Sequence, residues 1–264
     1  MQRQVFVRSG TPRTPDFALG PPRSPRRGNA RLGRSATPDI CPTMVLHFAK
    51  WHGTGNDFIL VDDRTGTFAA SDELVQRLCD RHFGVGSDGL ILIQAPRERG
   101  TRFHMEFFNP DASRSFCGNG SRCAFAFWSG LNGGVAEASF TAIDGLHMGE
   151  WREELVSVTL QDVKRLVHAS DGPNVDFVHN GSPHEMVWVD DPATVAVPIE
   201  GPRRRHAPAH APGGTNVNFV RARNGVVEMR TYERGVEAET LSCGTGVVAA
   251  ALSALVRGQA RVPV

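Results

Sequence analysis

The motif Cys-Gly-x-Gly occurs twice, each time opening a run of small and apolar helix formers: "SFCGNGSRCAFAFW" at Cys117 and "LSCGTGVVAAALSAL" at Cys243. The flanking sequence recurs as well. "HGTGNDFILVD" and "GGTNVNFVRAR" share a Gly-Thr turn with an Asn and a Phe leading a strand, while "MEFFNPDASRSFCGNG" and "MRTYERGVEAETLSCGTG" share a strand, a polar loop and the cysteine with its helix. Two echoes in the same order imply an internal duplication. Duplicated domains facing each other would bring both cysteines to one cleft.

Periodicity supports a mixed architecture. "VLHFAKWH", "FILVDD", "GLILIQA", "RFHMEFFN", "ASFTA", "LHMGEW" and "ELVSVTL" read as short strands. Asp144-Gly145 and Asn224-Gly225 are hairpin turns, the second between "NVNFVRA" and "VVEMRTYE". "SDELVQRLCDRH" is a helix with Ser71 as N-cap and Leu74, Val75 and Leu78 on one face. "GPRRRHAPAHAPGG" is a loop by composition. Many short strands with few helices give an α+β fold, not a βαβ array.

Residues 1–43 stand apart. They are rich in Arg, Pro, Ser and Thr, hold only Asp16 and Asp39 as acids, and show no apolar periodicity, so they are expected to be a disordered extension. A start upstream of a true start at Met44, a basic tail and an organellar transit peptide are the three readings; a secretory signal fails for want of an apolar core. Over the whole chain the net charge of +1 gives no reason to expect nucleic acid or a membrane surface as partner. No apolar run approaches the ~18 residues of a membrane span. Five cysteines, an odd number with no C-x-x-C pair, do not form a disulfide framework. Cys79, Cys117, Cys123 and Cys243 also lack the paired spacing of a zinc site, so no metal is expected. A reducing compartment suits such thiols.

A cysteine at a helix mouth has a chemical use. The first turn presents unpaired N–H groups and about half a positive charge, and glycines there let an anion approach the backbone. That environment lowers a thiol pKa. Two facing mouths would clamp one carboxylate and place a thiol on either side of the adjacent carbon. This is the arrangement of a two-base racemisation, in which N–H donors stabilise the carbanion and no pyridoxal cofactor is needed. A single cysteine before a helix is ordinarily a packing residue, and Cys79 and Cys123, on apolar helix faces, read that way.

"HGTGNDF", "DRHFGVGSDGL", "FFNPDASRSFCGNGSRC", "GSPHEMVWVDD", "GTNVNFV" and "TYERGVEAETLSCGTG" together resemble the diaminopimelate epimerase family, in the family's order and from about Met44 to the end. The resemblance implies two similar pseudo-symmetric α+β domains, here 44–160 and 161–264, each a curved mixed sheet around a central helix, with the active site in the cleft between them. It implies conversion of LL- to meso-diaminopimelate for lysine and cell-wall synthesis, without cofactor, by a cytoplasmic homodimer (plastid if residues 1–43 are a transit peptide). Cys117 would deprotonate the LL isomer and Cys243 the meso isomer. His184 would lie near Cys117 and Glu233 near Cys243, each setting its thiol's ionisation. Gly118, Asn119, Gly244 and Thr245 would give backbone N–H groups to the reacting carboxylate. Asn109 and Glu233 would meet the α-ammonium, and Asn56, Ser182, Asn216 and Arg234 would hold the distal centre.

Ser182 and Gly89 stand where many family members have Asn and Gln, and Ala112 where Gly is usual. The chain stops at "QARVPV", where family members continue through another strand pair and return a final segment to the first domain, so part of both sheets is expected to be absent. Asp57 and Asp88 are expected to cap backbone groups, and Arg81 and His82 to end a helix. A proline or hydroxyproline racemase, or an inactive fragment, are the alternatives; "GTGNDF" and "YERG" favour a two-headed substrate.

Overall fold

The computed structural model describes residues 3–5, 16–18, 45–163, 165–169 and 172–261. Two mixed sheets dominate. In the first, the strands Ala49–Gly53, Asn56–Asp63, Leu90–Gln94, Phe103–Phe108, Glu137–Ala142, Gly145–Arg152 and Leu155–Thr159 lie side by side in chain order. The second orders Arg165–Val167, Val175–His179, Pro183–Trp188, Asn216–Arg223, Val226–Glu233 and Ala238–Thr240 in the same way. From residues 1–43, Arg3–Val5 pairs with Leu155–Thr159 and Asp16–Ala18 with Val45–His47. The rest of the expected extension lies outside the described residues.

Each sheet is covered on both faces. In the first, Phe58, Leu60, Ile91 and Ile93 pack inward on helix α2 (Gly118–Leu131), while Ile59, Val61, Leu90 and Leu92 pack outward beneath helix α1 (Asp72–Cys79). Successive strand residues point to opposite faces, so double coverage explains why "FILV" and "LILI" are continuous apolar runs. Ser71 caps α1, its side chain accepting from Leu74 N–H. The second sheet repeats the plan. Met186, Trp188 and Val220 face helix α4 (Gly244–Val256), and Val187, Val217 and Phe219 face helix α3 (Val197–Arg205). The buried Asp176 carboxylate fixes the far end of α4 by accepting from Ser253 and Arg257.

The loop expected over Gly201–Arg205 is instead part of α3, with Pro202 inside it. Tertiary packing overrides composition here. A Cβ at Gly201 would lie 2.5 Å from the Tyr232 ring, so the helix seats against the strand only because that position is glycine. The hairpin near Asp144 turns one residue earlier than expected, Ala142 pairing with Gly145. Asn224-Gly225 forms its expected turn with both φ positive, at 54° and 76°.

The duplication is present, with one register corrected. Asn56–Asp63 runs parallel to Leu90–Gln94, as Pro183–Trp188 runs parallel to Asn216–Arg223, and in each half the next antiparallel strand leads to the cysteine and its helix. The counterpart of Asn56–Asp63 is therefore Pro183–Trp188. The sequence echo had matched it to Asn216–Arg223, one strand too far along. The cysteine echo is right: Cys117 (φ −127°, ψ 113°) and Cys243 (φ −121°, ψ 105°) cap their helices with nearly the same backbone.

Candidate active site

The N-termini of α2 and α4 meet head to head. A Cβ built on Gly118 would stand 3.8 Å from Gly244 Cα and 3.8 Å from Thr245 N, so the two first turns are in contact. Cys117 accepts from Gly120 N–H at 3.4 Å, and Cys243 Sγ lies 3.7 Å from Thr245 Oγ1. Both thiols and Gly118, Asn119, Gly244 and Thr245 line one cavity, together with Asn56, Asn109, Ser182, Asn216, Glu233 and Arg234. The free cavity is about 20 Å³, room for about one water.

Such a dry cleft reverses the thiol ionisation expected from the helix mouths. Burial pushes Cys117 up to about 12, and the Glu233 charge adds to it; the N–H groups of Gly120 and Asn119 and the Arg122 charge oppose it without prevailing. Cys243 is raised further, again by burial and then Glu233. Glu233 itself is pushed up to about 7 by burial, against a hydrogen bond from Thr240. Desolvation outweighs the helix N-terminus in this closed state.

His184 is fully buried and lowered to about 3, first by desolvation and then by the Arg234 charge. Asn218 Nδ2 points at its Nδ1 (3.3 Å), which assigns the proton to Nε2, 2.9 Å from Thr245 Oγ1. Its hydrogen bonds thus lead through Thr245 to Cys243. None among the described residues reaches Cys117, the thiol beside which it was expected.

The remaining residues fall into two groups. Asn56 Oδ1 faces the Cys117 thiol at 3.8 Å, and its Nδ2 donates to Asp88 at 2.8 Å. Asp88 and Asp57 cap each other's backbone N–H as expected, and Arg81 bridges the two carboxylates. On the other side Asn216 accepts from Arg234 N–H and donates to Ser182 Oγ, both at 2.9 Å. Asn109 is held by Ser113 and Ser115, against Gly235. The Arg234 guanidinium lines the cavity with no hydrogen bond to the described residues, and burial lowers its pKa. Among the described residues no three His, Cys, Asp or Glu side chains gather as a metal cage.

The diaminopimelate epimerase sequence profile matches residues 48–153 and 177–263. The chain belongs to the diaminopimelate epimerase family. Within that family of isomerases it is 41% identical to the diaminopimelate epimerase of Flavobacterium psychrophilum over 214 residues, covering 80% of this chain and 82% of the relative. The Aquifex aeolicus diaminopimelate epimerase is 38% identical over 234 residues, with 81% and 82% covered. Among solved structures, a probable proline racemase from Agrobacterium radiobacter superposes with a TM-score of 0.57 at 19% identity, covering 82% of this chain and 79% of that one. A hydroxyproline epimerase from Agrobacterium vitis gives 0.57 at 15% identity, with 82% and 78% covered. These two show the shared fold.

Family motifs therefore lead to residues that the fold collects in one cavity. They did not lead to Arg122, buried one turn behind Asn119, or to the Ser242 carbonyl, which accepts from Asn119 Nδ2 at 2.8 Å. An arginine within "GNGSRCAFAFW", otherwise small and apolar, was the available signal.

Proposed function

We propose that the chain interconverts LL- and meso-diaminopimelate by a two-base mechanism in which Cys117 and Cys243 are the acid–base pair and no cofactor takes part. The observation carrying this reading is the contact of the two cysteine-capped helix mouths at Gly118 and Gly244. A carboxylate held there receives N–H groups from Gly118, Asn119, Gly244 and Thr245, and its α-carbon lies between the thiols.

One cysteine, as thiolate, takes the α-hydrogen as a proton, and the C–H electron pair passes into the carboxylate. The opposite thiol then delivers its own proton to the other face. Cys117 ends as thiol and Cys243 as thiolate, or the reverse from the meso isomer, and nothing else is consumed. Preorganised N–H donors stabilise the added charge without reorganising.

Substrate binding also weakens one of the two influences that keep the thiols protonated, the larger being burial. Ionised Glu233 raises both thiol pKa values; an α-ammonium set against Glu233 and Asn109 offsets that charge. Arg234, with Asn56, Ser182 and Asn216, takes the distal amino acid, a guanidinium suiting its carboxylate. Since the cavity holds about one water, the domains, taken as 44–160 and 161–264, part to admit substrate. A homodimer rests on the family resemblance alone.

The test is proton NMR of LL-diaminopimelate in D₂O with reduced protein. Loss of the α-proton signal with appearance of meso product is expected. A folded, reduced sample that exchanges no α-proton overturns the reading.

A further inference from the structure

We propose that Arg122 and the Asn119 carboxamide form a latch across the cleft, setting the spacing of the two cysteines in the closed state. Arg122 is only 4% exposed, and no carboxylate among the described residues pairs with it. Burial lowers its pKa, and its Nε has no partner among the described residues. A buried cation without a counter-ion is costly and needs a compensating use. Its Nη2 donates to Asn119 Oδ1, and that contact supplies the use.

Asn119 is 1% exposed, and its amide has a fixed sense. Oδ1 accepts from Arg122, while the Thr54 hydroxyl, 3.5 Å away, spends its single proton on the Gly53 carbonyl at 2.6 Å. Nδ2 therefore faces two acceptors, the Ser242 carbonyl at 2.8 Å and Asn56 Oδ1 at 3.4 Å. Ser242 immediately precedes Cys243 and belongs to the other domain. Asn56 Oδ1 is the atom facing the Cys117 thiol. One carboxamide thus touches the immediate surroundings of both cysteines. Without Arg122 the amide could rotate by half a turn, setting oxygen against the Ser242 carbonyl oxygen and opening the latch. A guanidinium, which has donors only, forbids that rotation. Gly53 makes room for the arrangement: a Cβ there would stand 3.0 Å from the Asn119 carbonyl oxygen.

Arg122 and the Asn119 side chain are positioning residues, distinct from the Asn119 backbone N–H. The inference rests on the two-thiol reading, and its test separates the two. Isotope partitioning in D₂O is the readout: deuterium entering recovered LL-diaminopimelate without inversion, against deuterium entering meso product. When the thiols are misaligned, the first cysteine exchanges its proton with solvent and returns deuterium to the original face. Arg122→Met and Asn119→Ala should raise that ratio about tenfold, the scale of one lost charge-assisted hydrogen bond, with Arg122→Lys between them and the native chain. A proportional fall in both rates at a constant ratio overturns the latch, because lost folded protein changes amounts and not partitioning.

Amide hydrogen exchange gives a second readout that needs no turnover. The latch predicts faster exchange at residues 242–247, across the cleft from Arg122→Met; a change confined to α2 overturns it. If the native chain fails to invert its substrate, the epimerase reading falls and hydrogen exchange alone decides the latch. If Arg122→Met does not fold, Asn119→Ala and Arg122→Lys carry the same comparison.

Discussion

His184 Nε2 stands 2.9 Å from Thr245 Oγ1, and that hydroxyl lies 3.7 Å from the Cys243 sulfur. A neutral histidine donating to the threonine leaves the threonine proton free to point at the thiol. The hydroxyl is therefore placed to support a Cys243 thiolate. Thr245→Val keeps the shape and the backbone N–H but removes this donor, so turnover should drop about 10²-fold, the lower range for one acid–base partner. Thr245→Ser should stay close to the native rate. Equal turnover for the Val and native chains would remove the hydroxyl from the mechanism.

Glu233 predicts a pH dependence of stability with a definite sign. Its folded pKa is raised from 4.5 to about 7, so the folded state holds a proton that the unfolded state releases. The stabilisation is fully present below about pH 4.5 and is lost as pH rises through about 7, leaving a burden on the order of 3 kcal/mol above that. Glu233→Gln should match the native chain near pH 4 and exceed it in stability near pH 8. Urea unfolding at the two pH values checks this; a difference independent of pH would show that folding leaves the Glu233 pKa unshifted.

Much of this site was legible because glycine, cysteine and turn chemistry leave local marks. Cys117-Gly-Asn-Gly and Cys243-Gly-Thr-Gly announced two helix mouths, and both were found capping helices. Their facing could be inferred from duplication and from the family resemblance, and the duplication was misaligned by one strand, since Asn216–Arg223 carries the same Asn-and-Phe head as Asn56–Asp63. The helix through Gly201 and Pro202 was hidden because composition cannot see the Tyr232 ring that makes room only for glycine. Thiol ionisation was hidden as well. A helix N-terminus can be read from sequence, but the dryness of the cleft depends on how closely two distant segments meet.

Arg234 offers a cation without a hydrogen-bonding partner among the described residues, in a cavity otherwise lined by satisfied amides. Arg234→Gln should raise KM for diaminopimelate by about 10–100-fold, the worth of a lost charge-assisted pair. Arg234→Lys should recover only part of this, since an ammonium cannot grip a carboxylate with two parallel donors. The readout is KM against kcat. A loss confined to kcat would place Arg234 at the reacting end of the substrate and overturn its distal assignment.

The four cysteines among the described residues should separate cleanly by position. Cys117 and Cys243 line the cleft, whereas Cys123 packs in the first core and Cys79, the last residue of α1, packs against the outer face of the first sheet. Cys117→Ala and Cys243→Ala should each lower inversion by at least about 10³-fold, because a two-base reaction lacks either its acceptor or its donor. Cys123→Ala removes a fully buried sulfur. It should cost about 1–2 kcal/mol of stability and lower Tm by a few degrees, while the turnover of the folded protein is unchanged. Thermal melting and inversion rates for the same samples give both halves of the comparison. A Cys117→Ala chain that still inverts LL-diaminopimelate at the native rate would exclude that thiol as a base, however well the helix mouths are aligned.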